Sequence, residues 1–130
     1  MATKGFGTLI IRHKVRHKMI KGVDSVIKSE STIQSEIMLE LSKKGHTVWR
    51  SNAGKIKTHQ GYVVRLFPEG FPDLVGFRKN DGKFFVIEVK NANGKLREAQ
   101  KRFAKFAEDK PILYGVARSP EDALKIIGVD

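Results

Sequence analysis

The most constraining feature of the sequence is a short apolar run that ends in two charged residues. Residues 84–87 read Phe-Phe-Val-Ile, and Glu88 and Lys90 follow with Val89 between them. Such a run is typical of a strand that is covered on both faces. Because side chains alternate along a strand, Glu88 and Lys90 point to the same side. Burying a lone charge costs several kcal/mol, so this pair requires partners.

A predicted hairpin supplies a partner for this pair. Residues 80–82 read Asn-Asp-Gly, a strong signal for a tight turn between strands over 73–78 and 83–90. An antiparallel ladder about residue 81 places Asp73 opposite the end that carries Glu88 and Lys90. Two carboxylates at short range suit Mg²⁺ or Mn²⁺, and a lysine beside the cation can orient a water molecule and stabilise developing negative charge. The alternative is an ordinary Glu88–Lys90 ion pair with Asp73 capping a turn, which Glu-x-Lys alone favours.

The remaining pattern predicts an α/β fold with a central mixed β-sheet flanked by helices, in the order αβββαβα. Ile33, Ile37 and Leu41 recur at helical spacing. A helix that crosses between two strands implies a parallel pair in an otherwise antiparallel sheet. The predicted helices cover residues 29–44, 95–108 and 119–127, and the other predicted strands cover residues 46–50, 61–67 and 112–117.

Charge divides the chain into two parts. The formal net charge is +11 and the pI is near 10, which favours a polyanionic partner. Residues 1–28 hold seven Lys/Arg against one Asp, and residues 29–130 hold eighteen against thirteen acids. We therefore expect a basic N-terminal arm over residues 1–28, with a short strand at residues 9–11, and one domain over residues 29–130. The lack of cysteine, of a secretory signal and of a long apolar run favours the cytoplasm.

Several motifs together resemble one known family. Residues 70–74 (Gly-Phe-Pro-Asp-Leu), 85–90 (Phe-Val-Ile-Glu-Val-Lys) and 94–96 (Gly-Lys-Leu) are similar to the VRR-NUC branch of the PD-(D/E)xK nucleases. The likeness extends upstream to residues 33–34 and 48–54 and covers roughly residues 29 to 120. It implies a restriction-endonuclease-like core, a divalent metal and cleavage of DNA phosphodiesters. The small stand-alone phage and bacterial members that it resembles act as homodimers on branched DNA such as four-way (Holliday) junctions.

The resemblance also implies roles for individual residues. Asp73 and Glu88 would be metal ligands, with the carbonyl of Val89 as a third, and Lys90 would be the catalytic lysine. Gln100 would lie on the helix behind the motif, near the metal or the scissile phosphate. The alternative for Gln100 is a glutamine that faces solvent.

The family also uses an acid from the first helix, and three are available. On a helical wheel Glu30 falls close to the centre of the buried face, whereas Glu36 and Glu40 lie to the side. We therefore choose Glu30, with Glu36 as the second candidate. The alternative for Glu30 is a first-turn acid that complements the helix dipole.

A basic segment around the turn at residues 51–54 predicts DNA contacts. Its cationic and amide side chains can bind DNA phosphates, and the candidates are Arg50, Asn52, Lys55 and Lys57. A solvated basic loop is the alternative. Trp49 alternates with Val48 and is expected in the core. The expected buried face of the second helix consists of Leu96, Ala99, Phe103 and Phe106.

Together these expectations predict a metal-dependent endonuclease that acts on DNA, is structure-selective and works as a homodimer. A dimer follows from the family and because one chain offers one active site, whereas cutting two strands in concert needs two. A non-catalytic nucleic-acid-binding protein of the same fold and an RNA-directed metal-dependent phosphodiesterase are the two alternatives. No membrane and no organic cofactor are expected.

Overall fold

The computed structural model describes residues 15–20 and 23–130, with side chains from residue 26 onward. The strand expected at residues 9–11 lies outside the described residues. Along the chain the elements are β1 (Val15–Ile20), β2 (Val23–Lys28), α1 (Glu30–Lys43), β3 (Thr47–Arg50), β4 (Lys55–Lys57), β5 (Val63–Arg65), β6 (Leu74–Phe77), β7 (Phe84–Val89), α2 (Glu98–Ala107), β8 (Leu113–Ala117) and α3 (Pro120–Ile127).

The central sheet has four strands in the order β3-β6-β7-β8. The β3–β6 and β6–β7 pairs are antiparallel and the β7–β8 pair is parallel. Parallel pairing of β7 and β8 requires a crossover connection, which α2 provides. Counting only the strands of this sheet, the order with α1 and α3 is αβββαβα, so the predicted α/β fold with a mixed central sheet is confirmed.

Within the described residues, two hairpins lie outside the central sheet. β1 and β2 pair antiparallel within the segment predicted to be a basic arm, where the sequence shows no sustained period. β4 and β5 form the second hairpin, so the strand predicted over residues 61–67 is shorter than expected and pairs outside the sheet. The apolar residues Val63 and Val64, which predicted a strand here, are exposed in this hairpin and are not part of the central sheet.

The main core lies between the central sheet and the two helices α1 and α3. Ile37 and Leu41 from α1 and Ile127 from α3 are fully buried there against Phe85 and Ile87 of β7. Residues 85–90 are all buried, as expected for a strand covered on both faces. The opposite face of the sheet is covered in part by α2, whose Phe103 contacts the ring of Tyr114.

Two residues expected in the core are exposed. Trp49 is 56% exposed and its ring lies edge-on against Phe77. It belongs to the edge strand β3, on the sheet face away from α1, and α2 packs instead near β8. Phe106 is also exposed, because Ala107 takes the buried position in the last turn of α2.

None of the helices in the described part of the chain has the length and apolar character that crossing a membrane requires.

Candidate active site

The β6–β7 register brings two acids together at one end of the sheet. Leu74 pairs with Ile87, so Asp73 lies opposite Glu88 on the next strand, at the end of the strand that was expected. A ladder centred on residue 81 would instead pair Asp73 with Val89, so the register differs from the expected one by one residue. The amide of Val89 donates a hydrogen bond to Oδ2 of Asp73 at 2.8 Å, which fixes this carboxylate against β7. The backbone before Asp73 is also held, because the hydroxyl of Ser51 donates to the carbonyl of Pro72 at 2.6 Å.

Lys90 lies between two carboxylates. Its Nζ is 3.8 Å from Oε2 of Glu88 and 3.9 Å from Oε2 of Glu30. Glu88 and Lys90 are 1% and 3% exposed, so this ammonium group is held by protein rather than by solvent. Charges buried to this extent are stable only when they are paired.

The first helix supplies Glu30 rather than Glu36 to this cluster. α1 begins at Glu30, after Ser29, whose side chain accepts a hydrogen bond from the amide of Thr32 at 3.1 Å. The first turn of α1 therefore lies beside Lys90. The carboxylate of Glu36 instead forms an ion pair with Lys28 at 2.7 Å, away from the cluster.

Gln100 is buried and contacts the same cluster. Its Nε2 donates a hydrogen bond to Oε2 of Glu88 at 3.0 Å, and its Oε1 accepts one from the amide of Arg97 at 2.8 Å. Both ends of the amide are thus engaged, and the side chain does not face solvent. Gln100 therefore ties α2 to Glu88.

The electrostatic environment of Glu88 favours its protonated form. Burial raises the pKa of Glu88 to about 8, and the negative charge of Asp73 and a hydrogen bond with Asp73 add to this, while Lys90 opposes it. The second carboxylate oxygen, Oε1, is buried and has no hydrogen-bond partner among the described residues. Two acids on adjacent strands thus repel one another unless a proton or a cation lies between them.

This pKa predicts how the stability of the metal-free protein depends on pH. The pKa of Glu88 is raised above its ordinary value of 4.5, so the folded protein binds more protons than the unfolded chain between about pH 4.5 and 8. The contribution of Glu88 is therefore fully present below pH 4.5 and is lost as the pH rises towards 8. We expect Glu88→Gln to melt at least about 3 °C above the wild type at pH 8, with little difference at pH 4.5.

Thermal melts in EDTA at several pH values measure this difference. Burial and nearby cations lower the pKa of His46. This residue therefore makes the free energy of unfolding rise with pH near 6.5, whereas Glu88 makes it fall. The readout is therefore the difference between wild type and Glu88→Gln. Equal pH dependence of the two proteins would contradict the raised pKa.

The donor set at this site fits a hard divalent cation. Asp73 and Glu88 provide carboxylate oxygens, and Oε1 of Glu88 is a buried oxygen that lacks a donor. Within the described residues, no group of three or more His, Cys, Asp and Glu side chains has the arrangement of a metal site. A cation held by two carboxylates would complete its shell with backbone carbonyl, water or phosphate oxygens, as Mg²⁺ commonly does.

The loop after β7 is held over the cluster by an arginine that the sequence pattern did not indicate. Nη1 of Arg118 donates hydrogen bonds to the carbonyls of Asn91 and Gly94, the latter at 2.9 Å. A Cβ at Gly94 would lie 2.8 Å from Oε2 of Glu30 and 3.2 Å from Cδ of Lys90. The loop backbone thus packs directly on both side chains, and an added Cβ would displace the carboxylate of Glu30.

A cleft of about 840 Å³ opens beside the cluster, and both Asp73 and Gln100 line it. Of the four residues expected to bind DNA, Arg50, Asn52 and Lys55 also line the cleft, whereas Lys57 is exposed further along β4 and does not. The sequence reading missed two further basic residues of the lining, Arg65 and Arg97. They lie far from the turn in sequence, and only the fold brings them to the cleft.

Arg50 is held in place by the first helix. Its guanidinium donates hydrogen bonds to Oε1 of Gln34 and to Oγ of Ser35, the latter at 2.8 Å. A planar guanidinium fixed in this way keeps free donors for an anion. The motif resemblance includes Gln34, but nothing in the sequence indicated that it contacts Arg50.

A mixed sheet flanked by helices, with two acids and a lysine at one end of adjacent strands, defines the restriction-endonuclease-like class. The model of the VRR-NUC domain matches residues 28–121. The chain belongs to the VRR-NUC family, which identifies it as a nuclease, a hydrolase with DNA as its substrate. This family generally uses divalent metal ions. No match was found among the curated proteins or among the solved structures.

Proposed function

We propose that the chain is an endonuclease that hydrolyses DNA phosphodiester bonds with Mg²⁺, for which Mn²⁺ substitutes. The observation that carries this proposal is the convergence of Asp73, Glu88 and Lys90 beside a basic cleft that Asp73 lines. A phosphodiester in this cleft would lie next to Asp73, which is opposite Glu88 on the neighbouring strand.

The residues of the cluster take distinct roles in this proposal. Asp73 and Glu88, with the carbonyl of Val89, would hold the cation, which neutralises charge on the phosphodiester when it is bound. Lys90 orients the attacking water and stabilises the negative charge that develops on the phosphate oxygens.

Two further side chains position these groups. Glu30 contacts the ammonium group of Lys90, with its Oε2 3.9 Å from Nζ. Gln100 fixes the carboxylate of Glu88 through its 3.0 Å hydrogen bond. Side chains that orient a metal ligand in this way contribute to both metal affinity and activity.

We assign DNA binding to three basic residues and one asparagine in and near the cleft. Arg50, Asn52 and Lys55 line it, and Lys57 extends the positive surface along β4. These groups contact phosphates rather than base edges in the proposal, so they set affinity and position without reading sequence. Binding that rests on phosphate contacts weakens steeply with salt.

We further propose that the enzyme is structure-selective, with branched DNA such as four-way junctions as its substrate, and that it acts as a homodimer. The described part of each chain carries one Asp73–Glu88–Lys90 cluster, and two clusters are needed to cut two strands in concert. A solution mass of twice the 14.6 kDa of the chain supports the dimer, and a mass of one chain in the presence of junction DNA contradicts it.

A panel of end-labelled substrates tests the activity. Duplex, flap, splayed-arm and four-way DNA are incubated with the protein in Mg²⁺, in Mn²⁺ and in EDTA, beside RNA versions of the same substrates. We expect cleavage of branched DNA in either metal, abolished by EDTA and restored by excess Mg²⁺. If the wild type cuts no DNA in either metal, the chain is a binding protein, and preferential cleavage of RNA would make it a ribonuclease.

A further inference from the structure

An exposed aromatic ring lies among the basic residues of the cleft. Phe67 is 43% exposed and lines the same cleft as Asp73, together with Arg65 and Arg97. Phosphate groups gain nothing from an apolar ring, so cations alone would suffice for a groove that holds only a DNA backbone. The cleft therefore has a feature that the proposed phosphate contacts do not use.

The ring of Phe67 is fixed by its neighbours. It stacks on the ring of Phe71 with centroids 4.3 Å apart and an interplanar angle of 15°, and Phe71 in turn lies edge-on against Phe103 at 5.3 Å. The backbone is also held, because the amide of Gly54 donates to the carbonyl of Phe67 at 2.8 Å. A ring that is already ordered loses little conformational entropy when a ligand stacks on it.

We propose that Phe67 is a stacking platform for an unpaired nucleobase of the DNA substrate. A positively charged groove combined with an exposed aromatic ring is the arrangement by which proteins bind single-stranded nucleic acid. Bases inside a duplex are stacked on one another and present only their edges in the grooves, so a face is available only where pairing or stacking is interrupted. The proposal rests on DNA as the ligand of the proposed nuclease and adds a physical basis for selectivity.

The position of the platform links recognition to the catalytic cluster. Phe71, which supports the ring of Phe67, precedes Asp73 by two residues, and both Phe67 and Asp73 line one cleft. A base bound on Phe67 therefore holds the adjoining sugar-phosphate backbone in the cleft that contains Asp73. Fully paired DNA cannot make this contact and binds through phosphates alone.

The test compares a splayed-arm DNA with a duplex of the same length, both with 5-iodouracil at one position, in EDTA so that no strand is cut. Irradiation links iodouracil to an aromatic ring stacked on it, and peptide mapping locates the link. We expect a link to Phe67 with the unpaired base and none with the paired base. For Phe67→Leu we expect affinity for splayed-arm DNA to fall about 10-fold with the duplex unaffected.

Matched variants separate stacking from folding. Phe67→Tyr keeps a ring and should retain affinity. Phe84→Leu removes a ring of the same 43% exposure, at the start of β7 and outside the lining of the cleft, and should behave as the wild type. The proposal is overturned if wild type forms no link at Phe67, or if Phe67→Leu binds splayed-arm DNA as tightly as wild type. Because binding is measured without metal, a protein that links at Phe67 but never cuts DNA refutes the nuclease and leaves the platform standing.

Discussion

Replacing Asp73 with asparagine should reduce DNA cleavage at least about 1,000-fold while leaving DNA affinity within about threefold of wild type. The substitution removes one of the two anionic oxygen donors of the proposed metal site. Asparagine keeps an acceptor for the amide of Val89, which now donates to Oδ2 of Asp73 at 2.8 Å, so the local backbone remains held. Removing a negative charge from a basic cleft cannot weaken its attraction for phosphate.

Single-turnover cleavage in saturating Mg²⁺ and fluorescence anisotropy in EDTA measure the two quantities separately. Asp109→Asn is the matched control, since this acid is 82% exposed at its side chain and pairs with Lys110 at the end of α2. We expect the control to cut DNA at the wild-type rate. If Asp73→Asn keeps more than about a tenth of wild-type activity, Asp73 is not a ligand of the catalytic metal.

The centre of the site could be predicted from sequence because it depends on strand periodicity and one turn. Asn-Gly-type hairpin signals fix the register of two strands, and register decides which side chains are neighbours. Once residues 80–82 form the turn, Asp73 must lie opposite the end of β7 that carries Glu88, and the period of two brings Lys90 to the same side as Glu88. Each step is local in sequence, so no knowledge of the remaining packing is needed.

The surroundings of the site depend on packing between distant segments, which periodicity does not encode. Phe67 and Arg118 reach the site through contacts of the fold rather than through a spacing in the sequence. Trp49 shows the same limit, because alternation with Val48 assigns it a face but not the element that covers that face. Only the position of α2, near β8, leaves Trp49 exposed on the edge strand.

Glu30 and Gln100 are intermediate cases. The helical wheel distinguishes Glu30 from Glu36 because the buried face of α1 is marked by Ile33, Ile37 and Leu41. The wheel gives direction but not distance, and the 3.9 Å contact with Lys90 depends on where α1 begins. For Gln100, sequence position alone left burial and exposure equally open, and its hydrogen bond to Glu88 depends on how α2 packs on the sheet.

Replacing Gly70 with alanine should destabilise the protein by about 2–4 kcal/mol and reduce cleavage about 10- to 100-fold. A Cβ at this buried position would lie 2.4 Å from the carbonyl oxygen of Ala99, and a backbone group in the first turn of α2 cannot yield as a flexible side chain would. Gly70 also has φ = +90°, which side-chain-bearing residues rarely adopt.

The functional part of this effect arises from the neighbours on each side of the contact. Gly70 precedes Asp73 by three residues, and Ala99 is followed by Gln100, which holds Glu88. Moving α2 away from the Gly70 backbone therefore separates Gln100 from the acid that it positions. The glycine of the Gly-Phe-Pro-Asp motif is required by this close approach of two backbones as well as by its φ.

Gly61→Ala is the control that separates these two causes. Gly61 has nearly the same φ, +89°, but a Cβ there has no atom within 4 Å in the described structure. It should cost about 1–2 kcal/mol for the backbone alone and leave cleavage unchanged. Chemical denaturation and single-turnover cleavage of both variants measure the difference. If both lose the same stability and Gly70→Ala cuts at the wild-type rate, the Gly70–Ala99 contact does not position Gln100.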